Sequence, residues 1–108
     1  MDKKDKLYIA LYNDYYGCLL TEYQSDLISR YYDMDMSLAE IAEVYGISPQ
    51  AVRDALVRAQ KTLEEYESKL GIAAKTAQVV SLLEHAEACG MSKEAEKDVD
   101  AALDILKR

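Results

Sequence analysis

The spacing of apolar residues along this chain predicts a succession of helices. Apolar side chains recur at steps of three and four residues over most of the chain, and runs of β-branched residues are short. The sequence contains only one proline and four glycines, which are the residues that most often interrupt regular structure. The pattern therefore predicts an all-α protein.

Capping residues mark where the predicted helices begin and end. Glycine follows four of the periodic segments, which is where a left-handed C-cap is expected, at Gly17, Gly46, Gly71 and Gly90. Helix starts are indicated by hydroxyl side chains that can cap an N-terminus, at Thr21, Ser37, Ser48 and Ser92. Glu40 lies three residues after Ser37 and completes a capping box. Pro49 occupies a first helical position, where its missing N–H costs nothing.

The first two predicted helices are rich in tyrosine. The first runs from about Lys4 to Tyr16, and its predicted core stripe consists of Tyr8, Leu11, Tyr12, Tyr15 and Leu19. The alternative use of such a stripe, a platform on which bases stack, is disfavoured because no basic residues alternate with the tyrosines. The second helix ends near Tyr32, with inward positions at Leu27, Ile28, Tyr31 and Tyr32. A loop from Asp33 to Met36 follows.

The segment SLAEIAEVYGISPQAVRDALVRAQ, Ser37 to Gln60, has the form of a helix–turn–helix without a wing. Its first helix spans Leu38 to Tyr45, and Gly46 supplies the sharp turn. We expect small residues to let the two helices approach and apolar residues to fill the space between them. The residues assigned to these roles are Ala39, Ala42, Ile47, Val52 and Leu56.

The second helix of this motif is predicted to continue for about six turns. Its apolar positions run without a break to Gly71, at Val52, Leu56, Ala59, Leu63, Tyr66 and Leu70. A helix of that length outruns a small three-helix core, so its end needs a partner in the C-terminal segment or in a second copy of the chain. We predict a homodimer.

Two further helices follow Gly71. One covers about Ala73 to Cys89, with apolar positions at Val79, Val80, Leu82, Leu83 and Ala86. The last follows Ser92 and has a predicted buried stripe at Val99, Ala102, Leu103 and Leu106. The predicted organisation is therefore a helix–turn–helix domain over residues 1–71 and a C-terminal helical hairpin for dimerisation over residues 72–108.

If the second helix of the motif enters a major groove, its outward side chains must meet the DNA. The predicted outward set is Pro49, Gln50, Arg53, Asp54, Val57, Arg58 and Lys61. Gln50 and Arg53 have the bidentate ends that match adenine and guanine edges, and Arg58 and Lys61 are expected near phosphates. The helix starts at Ser37 and Ser48 can add backbone N–H contacts to phosphates.

Charge argues against strong DNA binding by a single copy. The chain has 20 acidic and 13 basic residues and a formal net charge of −7. The motif itself is neutral, since three cations are matched by Glu40, Glu43 and Asp54. Binding would therefore be weak unless a dimer doubled the contacts. The acidic runs Glu64–Glu67 and Glu94–Asp104 suit a basic protein partner, although such runs are more often solvated faces.

The stretch LLTEYQSDLISRYYDMDMSLAEIAEVYGISPQAVRDALVRAQKTLEEYESKLG, Leu19 to Gly71, resembles the YlxM family of small bacterial proteins. That family is similar in turn to the promoter-reading region 4 of sigma factors. The resemblance implies a gene neighbourhood and an accessory or regulatory role in the signal recognition particle pathway. Two functions follow as alternatives: a DNA-binding regulator linked to that pathway, or an accessory protein that binds one of its protein or ribonucleoprotein components.

Other classes of function find little support in the sequence. No histidine, nucleophile and phosphate loop combine into a catalytic site, so we expect no enzyme and no cofactor. The single histidine, His85, is taken to have no companion ligand, so no metal site is predicted. Cys18 and Cys89 are expected to be reduced thiols in half-buried helices. With neither a signal peptide nor an apolar run of membrane-spanning length, the predicted location is the cytoplasm.

Overall fold

The computed structural model describes Lys3 and residues 6–107, and all of the regular structure in that part of the chain is helical. The α-helices are α1 Tyr8–Tyr16, α2 Glu22–Ile28, α3 Leu38–Tyr45, α4 Pro49–Leu70, α5 Ile72–Ala88 and α6 Lys93–Leu106. A 3₁₀ turn, Gly17–Leu19, follows α1, and a π-helical turn, Ser29–Asp33, extends α2. The prediction of an all-α protein is confirmed.

The chain divides into two compact units between Gly71 and Ile72. The first unit contains α1 to α4, and the second contains α5 and α6.

Helix α4 is the central element of the first unit and packs against α1, α2 and α3. The largest fully buried side chains of the unit come from all four helices: Ile9, Tyr16, Leu27, Ile28, Ile41, Val52, Leu56 and Leu63. Burying a side chain of this kind stabilises a fold by about 1.5–3 kcal/mol. The core therefore fixes which side of α4 faces inward.

Helix α1 buries only part of the predicted stripe, since Tyr12 and Tyr15 pack against the core but the other predicted residues do not. Tyr8 and Leu11 are 41% and 45% exposed, whereas Ile9 and Tyr16 are 0% and 1% exposed. A second stripe that passes through Ile9, Tyr12 and Tyr16 has the same helical spacing, and it places the β-branched isoleucine in the core. Exposing Tyr8 costs little because its hydroxyl prefers water, whereas exposing Ile9 would lose apolar burial. Beyond the helix, Leu19 is also exposed.

The N-terminal segment contacts the loop that precedes α3. The ammonium of Lys3 donates to the carbonyl of Met36 (2.8 Å) and pairs with Asp35 (3.1 Å). It also lies 4.2 Å from the ring centre of Tyr31. The predicted helix start at Lys4 lies outside the described residues.

Gly17 departs from the predicted left-handed C-cap, while the other three glycines adopt positive φ. The φ angle of Gly17 is −58°, which any residue can adopt. Glycine is needed there for space, because a Cβ would lie 2.7 Å from Oδ1 of Asn13 and 2.9 Å from Oγ of Ser25. Those two side chains connect α1 to α2, since the Ser25 hydroxyl donates to Asn13 Oδ1 (3.1 Å).

The C-terminal half of α4 has a partner within its own unit. Tyr16 of α1 donates its hydroxyl hydrogen to Glu67 (2.5 Å) and packs its ring 5.9 Å from that of Tyr66. Near the other end of α1, the hydroxyl of Tyr8 donates to Glu64 (3.3 Å). The expectation that this part of α4 needs the C-terminal segment or a second copy is therefore wrong as far as Glu67. Of the predicted apolar positions in this half of the helix, Leu70 is exposed, at 46%.

The second unit is a helical hairpin with a thin core. Of its described residues only Ala73 and Leu103 are buried, while six further apolar residues of the two helices are half-buried: Val80, Leu83, Ala95, Val99, Ala102 and Leu106. The predicted stripe of α6 is confirmed. On α5, Val79 and Leu82 are 42% and 69% exposed.

Candidate nucleic-acid interface

The turn between α3 and α4 has the capping chemistry expected of a helix–turn–helix. Ser37 and Glu40 form the predicted capping box at the start of α3. At its end, Gly46 has φ 67° and ψ 36°, and its N–H donates to the carbonyls of Ala42 and Glu43. The left-handed conformation costs an L-residue about 1–2 kcal/mol, which explains the glycine. The turn thus reverses the chain within a few residues.

The contacts inside the motif differ in detail from those predicted. Ala42 is buried and brings the two helices together, but Ala39 is exposed on the other side of α3. Ile47 is 37% exposed, so it does not fill the gap between the helices. Val52 and Leu56, both fully buried, do seat α4 in the core as predicted.

The inner side of α4 also contains a polar residue that the apolar pattern did not reveal. Gln60 is only 3% exposed, and its Nε2 donates to the hydroxyl of Tyr32 at 2.7 Å. Burial, with the nearby Tyr31 hydroxyl, raises the pKa of Tyr32 to about 12, so this hydroxyl stays protonated. Since a buried amide needs its partner, the contact fixes the rotation of α4 about its axis.

The outer side of α4 presents the predicted set to solvent. All of the predicted interface positions are exposed: Ser37, Ser48, Pro49, Gln50, Arg53, Asp54, Val57, Arg58 and Lys61. Within the described part of the chain, no ion pair involves Arg53, Arg58 or Lys61. The three positive charges are therefore available to an anionic ligand.

The two arginines lie on opposite flanks of this surface. At 3.6 residues per turn, Arg53 and Arg58 are about 140° apart around the helix axis. Gln50, Asp54 and Lys61 lie between them. The Nε2 of Gln50 donates to Oδ1 of Asp54 at 3.0 Å, so its amide must leave that carboxylate before it can contact a base edge.

At both helix starts the serine hydroxyls are occupied by capping. The Ser37 hydroxyl accepts from the N–H of Glu40, and the Ser48 hydroxyl accepts from the N–H of Ala51, each at 3.1 Å. Since Pro49 has no N–H, the amide of Gln50 is the first-turn donor of α4 that is left for a phosphate oxygen. The serines order these helix starts rather than present their own hydroxyls.

Helix α3 of the motif has negatively charged side chains, whereas the positive charges are on α4. The backbone hydrogen bond from Ser37 to the Glu40 carboxylate lowers its pKa, so Glu40 remains ionised below the usual range for glutamate. Glu43 on the same helix is also exposed. The motif is therefore neutral as a whole, and its positive charge is confined to α4.

Two expectations about the histidine and the cysteines are wrong. His85 does have a companion at helical spacing, because its Nε2 lies 3.6 Å from Sγ of Cys89, four residues later on α5. Both Cys18 and Cys89 are exposed rather than half-buried. The spacing of four residues was the signal that could have revealed the pair.

Comparison with known proteins agrees with the motif seen in α3 and α4. Residues 1–102 match the model of the UPF0122 family, described as "Putative helix-turn-helix protein, YlxM / p13 like". The chain belongs to the UPF0122 family. The resemblance to YlxM proteins that the sequence indicated is thereby confirmed, and it extends over almost the whole chain.

Individual UPF0122 proteins are similar over most of their length. One from Desulforamulus reducens is 46% identical over 107 residues, which cover 93% of this chain and 88% of the relative. One from Caldanaerobacter subterraneus is 44% identical over 85 residues, or 79% and 73% of the two chains. One from Symbiobacterium thermophilum is 48% identical over 81 residues, or 75% and 76%. In the part of this chain that the structure describes, the helices are too short or too polar to cross a lipid bilayer.

Proposed function

We propose that this protein is a DNA-binding regulator that uses α4 as its recognition helix. One observation carries the proposal: α4 is held in the core on one side and exposes Arg53, Arg58 and Lys61, free of ion pairs with other described residues, on the other. A major groove admits a helix presented in this way.

The proposed contacts follow from the positions of these side chains along α4. Gln50 and Arg53 lie in the first two turns, where recognition helices meet base edges. Arg58 and Lys61 come later and are assigned to phosphates. Asp54 is expected to repel phosphates and to accept a hydrogen bond from the amino group of cytosine, which makes it an element of selection rather than of affinity.

A working complex is proposed to contain two copies of the chain. Three cations per copy give weak binding at physiological salt, and a symmetric dimer doubles both the charge and the number of base contacts. Because α1 already covers α4 as far as Glu67, we place the dimer contact in the second unit, where Val79 and Leu82 are exposed. The similarity to YlxM proteins supports target genes in the signal recognition particle pathway.

Selection from randomised duplexes at low salt, followed by fluorescence anisotropy on the enriched sequence, tests the proposal. We expect Arg53→Ala to weaken binding to the enriched site by roughly fivefold to 150-fold, the loss of one bidentate base contact. Arg58→Ala should weaken binding to all duplexes alike. Lys69→Ala removes a positive charge from the last turn of α4 and should change little. Equal and negligible binding by wild type and all variants would refute the proposal.

An acidic cleft in the first unit favours a second candidate, an accessory protein that binds a basic partner in the same pathway. The cleft encloses about 590 Å³ and is lined by carboxylates from Asp14, Glu22, Asp26 and Asp33. Asp26 is engaged by Arg30 (2.8 Å) and by the hydroxyl of Tyr45, so the other three carboxylates are those that a basic peptide would meet.

Pull-down with the signal recognition particle protein, and separately with its RNA, distinguishes this candidate from the first. The double substitution Asp14→Asn with Glu22→Gln should abolish capture of a basic protein and leave DNA binding intact. Arg53→Ala should do the reverse. Capture that neither change reduces would rule out the cleft as the docking site.

A further inference from the structure

The only histidine of the chain contacts a cysteine on the surface of α5. Nε2 of His85 lies 3.6 Å from Sγ of Cys89, one turn later on the chain, and both side chains are exposed. Imidazole nitrogen and thiolate sulfur are donor types that Zn²⁺ prefers in proteins. The prediction of no metal site assumed that His85 had no companion, and this contact removes that assumption.

The separation of these two atoms matches that between neighbouring ligands of a tetrahedral zinc ion. Zinc lies about 2.3 Å from a cysteine sulfur and about 2.0–2.1 Å from a histidine nitrogen. At the tetrahedral angle, those bond lengths place the two ligand atoms about 3.5–3.6 Å apart. The observed distance of 3.6 Å fits, so the pair can bind zinc without a rearrangement of the helix.

One chain offers this ion two ligands, whereas zinc takes four. Among the described residues, no other carboxylate, imidazole or thiol has a ligand atom within 4.8 Å of both Nε2 of His85 and Sγ of Cys89. Two thiolates and two neutral imidazoles would complete the coordination and also cancel the charge of Zn²⁺. The two missing ligands therefore match the same pair from a second copy of the chain.

The surface around the pair suits a second copy of the same helix. Leu82, which is 69% exposed, lies within about 60° of His85 and Cys89 around the axis of α5. Helix α6 packs against α5, whose half-buried Val80 and Leu83 lie on a different side of the helix. Two copies that meet through the pair can therefore bury Leu82 beside the ion.

We propose that His85 and Cys89 of two chains bind one Zn²⁺ and thereby join the second units of a dimer. This site rests on the dimer contact proposed above for the second unit and supplies it with a metal. On binding, each Cys89 thiol releases its proton to solvent and its sulfur binds zinc as a thiolate. Each imidazole binds through Nε2 and keeps its proton on Nδ1. Dimer formation should therefore require zinc and weaken in acid.

Calorimetric titration of the full chain with ZnCl₂, with light scattering to give the mass, tests the proposal. A phosphine reductant prevents a disulfide between two Cys89 thiols, and circular dichroism verifies that each variant is folded. We expect one zinc per two chains and a doubling of the mass, both reversed by EDTA. Cys89→Ser and His85→Ala should each abolish zinc binding and dimer formation. Cys18→Ser removes the other exposed thiol and should change neither.

Three results of the titration would overturn the zinc site. They are an absence of zinc binding by the wild type, one zinc on each monomeric chain, and undiminished binding by Cys89→Ser. A dimer equally stable in EDTA and in zinc would also overturn it, but would leave the dimer of the proposed regulator in place. Because the titration contains no DNA, a zinc-joined dimer that fails to bind DNA would refute the regulator and not the zinc site.

Discussion

At the scale of single residues, two amide side chains of α4 make contrasting hydrogen bonds. The hydrogen bond between Gln60 and Tyr32 is buried, whereas the hydrogen bond from Gln50 to Asp54 lies in solvent. Two amides of one helix therefore have opposite uses. The buried one fixes the helix, and the exposed one is available to a ligand.

Removing the Tyr32 hydroxyl should destabilise the first unit. Tyr32→Phe leaves the Gln60 amide buried without its acceptor, and we expect a loss of about 1–3 kcal/mol in the free energy of unfolding. Tyr32→Phe combined with Gln60→Leu should recover most of it, because no unpaired polar group remains. Urea denaturation measures both, and Tyr23→Phe, at a 40% exposed site, is the control. A double variant as unstable as Tyr32→Phe alone would contradict this account.

The Glu40 carboxylate makes the start of α3 sensitive to acid. Its pKa is lower in the folded chain than its ordinary value of 4.5, because the Ser37 backbone N–H donates to it. A carboxylate whose pKa is lowered by folding stabilises the fold above its unfolded pKa, and this stabilisation is lost as the pH falls through the folded one.

We therefore expect the stability difference between wild type and Glu40→Gln to be present at pH 7 and to shrink as the pH falls below 4.5, the ordinary pKa of glutamate. Thermal denaturation at several pH values measures it. Glu43→Gln, on the same helix, is the control. A difference that does not change with pH would show that the capping box acts through something other than the charge of Glu40.

At the scale of helices, the caps were the most predictable part of the structure. Ser37, Ser48 and Ser92 cap their helices because a hydroxyl at that position accepts from the third amide of the helix, a local rule that depends on no distant contact. The inward side of α1 was not predictable in this way. Two stripes of equal spacing compete there, and only packing against α4 decides between them.

The turn of the motif should tolerate few residues. At φ 67°, Gly46→Ala should lower the free energy of unfolding by about 1–2 kcal/mol, while Gly46→Asn, which adopts this conformation more readily, should cost less. No atom lies within 4 Å of a Cβ built there, so the effect arises from the backbone alone. Denaturation of the two variants side by side measures it, and equal losses would point to a steric cause instead.

Helical periodicity alone predicted part of the candidate site, and the rest depends on contacts between helices. The outward residues of α4, such as Arg53 and Arg58, followed from helical periodicity because exposure is the complement of a predicted buried stripe. By contrast, the approach of Glu87 on α5 to Glu96 and Asp100 on α6, with one oxygen of each within 4.8 Å of the others, depends on how the two helices pack, and periodicity within one helix carries no information about that. The burial of Gln60 was not predicted, because a polar residue at a buried position does not fit the apolar pattern.

At the scale of the whole molecule, an acidic chain presents a small positive surface. The net charge is −7, while α4 exposes Arg53, Arg58 and Lys61 beside Asp54. Long-range attraction to DNA is therefore weak, and the proposed DNA binding would have to come from close contacts. We expect such a protein to bind its own site much better than nonspecific DNA.

Salt dependence should reveal how many copies of the chain bind together. With Arg58 and Lys61 neutralising two phosphates per copy, the slope of log K against log salt should be about −2 for one copy and about −4 for two. Anisotropy titrations at several salt concentrations measure it, and light scattering at the same protein concentration gives the mass of the free protein. A slope near −4 from a protein that stays monomeric even on DNA would contradict the dimer.

The buried hydrogen bond of Gln60 has a consequence for how this scaffold can diversify. Rotating α4 about its axis would separate Gln60 from its acceptor, so a protein that keeps Gln60 and Tyr32 cannot present a different side of this helix to a target. New specificity has to arise by exchanging the solvent-facing side chains one at a time. An engineer who wishes to redirect the protein can therefore randomise those positions and leave the framework untouched.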